Sequence, residues 1–166
     1  MAEKNEILKQ ELKHKGFFNF AELYNFCFEW LKDEGYKLSE DKYLEKISAN
    51  GKEIKLQWTA KKKISDYFRN DIELKWHILG LTDAEIERDG KKEKTNKGEL
   101  KIVFSGILVR DYEARWEDNP TYKFFRGIYD KYIIRTTMEE YEDKLKDKTE
   151  TFIEQVKSFL ALEGKR

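Results

Sequence analysis

The chain is poor in the residues that usually carry chemistry. Its 166 residues include one cysteine, one proline, two histidines and two methionines. The single cysteine, Cys27, excludes an internal disulfide and any multi-cysteine zinc or iron–sulfur cage. It lies in the run Phe26-Cys27-Phe28 and reads as a small buried hydrophobe. His14 and His77 show no ligand spacing, so a histidine metal site is not indicated, nor is a Cys–His nucleophile pair. There is no glycine-rich phosphate loop, no nucleophile elbow and no calcium-loop pattern. No catalytic residue, metal ligand or cofactor is therefore expected, and the chain reads as non-enzymatic.

Net charge is missing too. Lysines and arginines number 33 and aspartates and glutamates 33. A nucleic-acid binder usually shows a basic excess, which argues against nucleic acid as the main partner. No apolar run approaches the ~20 residues of a membrane span. The segment from Met1 to Lys15 alternates charges and lacks the apolar core of a signal peptide, so the cytoplasm is the expected compartment.

What the chain has is charge of both signs, 40%, and aromatic rings, 14%. The rings argue against disorder. A chain of this length buries roughly 70% of its unfolded surface and needs no staple. The expected organisation is a charged arm over residues 1–16 and one α+β domain over residues 17–166. In the arm, Ile7, Leu8 and Leu12 form a thin apolar stripe at helical spacing, and Gly16 ends it.

Asn19 as N-cap and Gly35 beyond the end predict a helix over Phe20 to Glu34. Phe20, Leu23, Tyr24, Cys27, Trp30 and Leu31 share one face of it, and Phe26 and Phe28 widen that face. Asn50-Gly51 suits a type I′ turn. Folding about it pairs Ile47 with Ile54, Glu45 with Leu56 and Tyr43 with Trp58. A second hairpin turns near Arg88-Asp89-Gly90. A three-residue loop with a bulge there sets Ile78 opposite Leu100, Trp76 opposite Ile102 and Leu74 opposite Phe104, matching apolar residues. Its outer part, Thr82 to Gly98, is polar and reads as a projecting ribbon. The strand beyond is apolar on both faces, with Val103, Ile107 and Val109 on the second, so both faces should be covered. Gly106 inside that strand suggests close packing of a helix.

Asn119-Pro120 opens an aromatic helix toward Ile134. Thr137 and Glu140 form a capping box for a long last helix, whose stripe is Met138, Tyr141, Leu145, Phe152, Val156 and Phe159. Lys148 and Thr149 interrupt that stripe, which predicts weaker contact at mid-helix. The expected fold is an antiparallel meander of about four strands, made of two hairpins. An N-terminal helix, a short aromatic helix and a long C-terminal helix pack on it.

Three surfaces are candidates for function. The first is surplus apolar surface at Phe26, Phe28, Phe124, Ile128 and Ile134, which suits a protein partner or a second copy of the chain and makes an assembly module the leading expectation. The second is a cavity between sheet and long helix, lined by Trp58, Trp76, Tyr112 and Trp116, fit for a small apolar ligand. The third is the basic run Lys61, Lys62 and Lys63 with Arg69, a place for an anionic partner and for weak nucleic-acid contact.

Overall fold

A computed structural model of the chain describes residues 3–110, 120–128 and 135–164. The order is β1 (Glu3–Phe17), α1 (Phe20–Asp33), β2 (Lys37–Ser48), β3 (Gly51–Lys63), β4 (Phe68–Arg88), β5 (Lys91–Arg110), α2 (Pro120–Ile128) and α3 (Arg135–Gly164). The class is α+β. The strands make one antiparallel sheet in the order β1-β5-β4-β3-β2, so five strands stand where about four were expected.

The additional strand is the N-terminal arm. Residues 3–17 are not a helix; they pair along β5 from Glu3 opposite Arg110 to Phe17 opposite Lys97. Leu8 and Leu12 are four apart, a spacing that puts two side chains on one face of a helix and of a strand alike. The backbone edge of β5 offers a full ladder of hydrogen bonds, and that offer decides the outcome.

Inward-facing residues run across the sheet in rows. Leu56, Trp76, Ile102 and Leu12 make one row, and Trp58, Leu74 and Phe104 the next. Both helices of the core lie on this face. Leu23, Cys27 and Leu31 of α1 are buried, as are Leu145, Phe152, Ile153 and Val156 of α3. Trp30 of α1 stacks on Phe152 of α3 at 4.2 Å between ring centres. Contact does not weaken at Thr149, which is fully buried. Its hydroxyl donates to the Leu145 carbonyl at 2.7 Å, satisfying it within the helix. A side-chain carbon at Gly106 would come within 3.1 Å of that hydroxyl, so α3 crosses β5 where the strand has no side chain.

On the outward face of β5, Ser105 and Val109 are buried and Val103 and Ile107 are half-buried. Asp71 of β4 is buried beside them and accepts two bonds from Arg69, at 2.7 and 3.0 Å.

Both turns differ from the geometries expected of them. In the first hairpin Ser48 pairs with Gly51 and Glu45 with Ile54. That register is two residues away from the type I′ expectation, and it preserves the faces. Only Gly51 of the turn has positive φ, +112°. The second hairpin closes on Asp89-Gly90, both at positive φ, with Arg88 opposite Lys91. Its inner register, Ile78 to Leu100, Trp76 to Ile102 and Leu74 to Phe104, is the expected one. It is reached through a two-residue turn and a bulge between Leu79 and Thr82, where a three-residue loop with a bulge was expected.

Candidate functional site

The end of α1 is built to turn sharply. The Tyr36 N–H donates to the Leu31 carbonyl at 2.9 Å and the Gly35 N–H to that of Lys32 at 3.0 Å. This is the paired Schellman pattern, with Gly35 in the left-handed position. The turn carries Tyr36 directly beneath the helix end. Nearby, β3 passes into β4 through a tight loop. The Ser65 hydroxyl accepts from the Tyr67 and Phe68 N–H groups at 3.2 and 3.1 Å, and holds Ile64 at the rim.

Across from both lies the first half of α3. Tyr141, Lys144, Lys148 and Thr151, three or four apart, share one face of the helix. Together these elements border a half-open cleft of about 620 Å³ lined by Glu34, Tyr36, Lys62, Lys63, Ile64, Asn70, Tyr141, Lys144, Asp147, Lys148 and Thr151. The volume falls within the ~300–1,000 Å³ of small-molecule sites.

The cleft is apolar at its rings and cationic at its rim. Tyr141 packs edge-on against Phe68 at 5.1 Å, which fixes its ring. Lys62 places its ammonium 5.7 Å over the Tyr36 ring. Lys148 reaches Glu34 at 3.4 Å and Lys63 reaches Asp66 at 3.2 Å. Four lysines face two carboxylates, Glu34 and Asp147, so the lining is net positive.

Burial pushes the Tyr36 phenol up to about 12, against a hydrogen bond from Asn70 that acts the other way. The Asn70 Oδ1 atom is buried with no partner. Asn70 sits on β4 in line with Ile72 and Leu74, so its side chain faces the core side of the sheet. Lys62 is its cross-strand neighbour.

The residues expected from sequence fall differently. Trp58 and Trp76 are 1% and 2% exposed, and their rings pack together at 5.2 Å. Tyr24 closes on Trp58 at 4.8 Å and Phe20 on Trp76 at 6.4 Å, so these rings fill the core. The cleft described above lies at the end of the sheet, and neither tryptophan lines it. Tyr112, Trp116 and Ile134 lie outside the described residues. Phe26 stacks on Phe159 at 5.3 Å, Phe28 is partly exposed, Ile128 is half-buried and Phe124 is 66% exposed.

The basic run is divided between faces. Lys62 turns into the cleft and Lys61 stands opposite Asp71 on the outward face. Arg69 is committed to Asp71. Cys27 is fully buried, and burial pushes its thiol far up. Among the described residues no group of three His, Cys, Asp or Glu side chains could hold a metal ion. No described helix is long and apolar enough to cross a membrane.

Sequence reasoning missed Tyr36, Asn70, Lys144 and Lys148. One signal was present: counting back by twos from Leu74 and Ile72 puts Asn70 inward, and an inward asparagine at a strand end is a candidate polar anchor.

No family model matches this chain, and no curated protein matches it. A solved structure of an uncharacterized protein from Rhizobium leguminosarum aligns with 93% of this chain and 99% of its own length at 9% identity. Its TM-score of 0.21 is too low to carry an argument about fold or function.

Proposed function

We propose that the protein is a non-enzymatic binder of a small amphipathic anion, held in the cleft between the end of α1, the β3–β4 loop and the first half of α3. The observation that carries this reading is the cleft itself: about 620 Å³, with Tyr36, Ile64 and Tyr141 for an apolar body and a lysine rim for a negative head. Sites of this kind combine apolar walls with a few placed polar groups. The reading keeps the expected position between sheet and long helix, replaces the tryptophan lining with tyrosines, and adds a charge to the ligand.

Decanoate and decanol make a matched pair of probes. In isothermal titration calorimetry decanoate should bind saturably and decanol more weakly, and Lys144→Glu should narrow the difference. Backbone amide shifts on titration should gather at Tyr36, Asn70 and Tyr141. No saturable binding of either probe would overturn the reading.

A second reading is self-association. What supports it is exposed apolar surface on α2, where Phe124 and Phe125 are both exposed. Light scattering during size-exclusion chromatography should then give the mass of a dimer, reduced to monomer by Phe124→Glu. A monomer at high concentration would remove this reading.

A further inference from the structure

An acceptor without a donor stands at the cleft, and it specifies the ligand further than charge alone. Asn70 lines the cleft, and its Oδ1 atom is buried and unpaired. A buried carbonyl oxygen with no donor is destabilising, and a ligand that supplies the donor recovers that loss. The position of the oxygen also matters. Asn70 and Lys62 are direct cross-strand partners on the same face of the sheet. The side-chain carbons of such partners lie about 5 Å apart. A compact ligand head, with a donor and an anionic group a few bonds apart, can therefore meet both.

We infer that the cleft recognises a carboxylate that carries a hydrogen-bond donor on the adjacent carbon and an apolar tail, the donor going to Asn70 Oδ1 and the carboxylate to Lys62. This inference rests on the cleft being a ligand site. Two sources share the chemistry: an N-acylated amino acid, whose donor is an amide N–H, and a 2-hydroxy fatty acid, whose donor is a hydroxyl.

The Lys62 side chain is long and flexible. Its stem lies against Gly35, with Cε 3.5 Å from where a side-chain carbon on that glycine would stand. Entry of the ligand moves this lysine off the Tyr36 ring, exchanging a cation–ring contact for an ion pair. The tail then lies along Tyr36, Ile64 and Tyr141. Neutral ligands gain nothing from Lys62, and simple fatty acids leave Asn70 unpaired.

Two ligand pairs isolate the donor. N-decanoylglycine carries the N–H, and N-decanoylsarcosine replaces it with a methyl group. 2-Hydroxydodecanoate carries the hydroxyl, and dodecanoate lacks it. Calorimetric titration of the full chain should show the donor-bearing member of at least one pair binding roughly tenfold tighter, the worth of one well-made hydrogen bond in a partly desolvated site. Which pair discriminates identifies the source. Asn70→Leu should erase that difference while leaving the weaker ligand's affinity within about twofold, and circular dichroism checks that the variant folds. Equal affinities within both pairs in the unaltered protein would overturn the donor assignment and leave the cleft reading standing. Saturable binding by none of the four would overturn both.

Discussion

Two of the sheet's hairpins carry a residue followed by glycine at the turn, Asn50-Gly51 and Asp89-Gly90, and they use these dipeptides in opposite ways. At the second, both residues take positive φ, 52° and 78°, which is the local preference of such a pair. At the first, asparagine keeps an ordinary φ and only Gly51 goes left-handed, at +112°. The difference is tertiary. A side-chain carbon on Gly51 would meet the carbonyl carbon of Gly80 at 2.8 Å and the Leu81 oxygen at 2.9 Å. A side-chain carbon on Gly90 would meet nothing within 4 Å. The first turn packs on the bulge of β4 and takes the shape that allows it. The second stands clear at the ribbon tip and follows its own residues. A dipeptide therefore decides its turn only where nothing else touches the backbone.

The sharpest way to break this comparison is to add one carbon to each turn. Gly51→Ala places an alanine at strained φ against fixed backbone and should cost about 3–5 kcal/mol, strain and overpacking together. Gly90→Ala meets only the left-handed strain and should cost about 1–2 kcal/mol. Urea unfolding at unchanged m-value measures both. Equal losses would mean that the approach of Gly80 does not shape the first turn.

The same division separates what was legible in the sequence from what was not. Apolar alternation placed β4 against β5 in the observed inner register, because Trp76 and Ile102 must share the core whatever the turn does. The helix from Phe20 was legible from Asn19, whose side chain accepts from the Glu22 N–H at 3.1 Å. Strand β1 was not legible, since Leu8 and Leu12 fit either periodicity and the deciding partner lies about a hundred residues away. Within the candidate site, the inward direction of Asn70 was readable from parity. The meeting of Tyr36, Ile64 and Tyr141 was not, because it depends on the angle at which α3 crosses the sheet. That angle follows from Gly106 and Thr149, whose contact no local pattern announces.

The two hairpins also differ in how they hold their bulges, and this gives the smallest expected effect. The bulge of β4 lies at Gly80-Leu81 and needs no ionisable group. The bulge of β2 falls between Glu40 and Lys42. Asp41, within it, accepts from the Thr59 hydroxyl at 2.5 Å and from that of Ser39 at 2.9 Å. These two bonds, Thr59 first, hold the Asp41 carboxyl below its ordinary range. A depressed folded-state value means that the bonds add stability above the unfolded carboxyl pKa, near about 4, and that this is lost as pH falls through the lower folded value. Asp41 is open to solvent, so the contribution is small, below about 1 kcal/mol. Acidification below pH ~4 should lower the amide protection factors at Ser39 and Thr59 before those around Gly80 in the β4 bulge respond. Asp41→Asn, which keeps an acceptor but cannot titrate, should remove that early step. If the strands loosen together in the unaltered protein, the carboxylate does not hold the β2 bulge, and the two bulges are alike in being held by backbone alone.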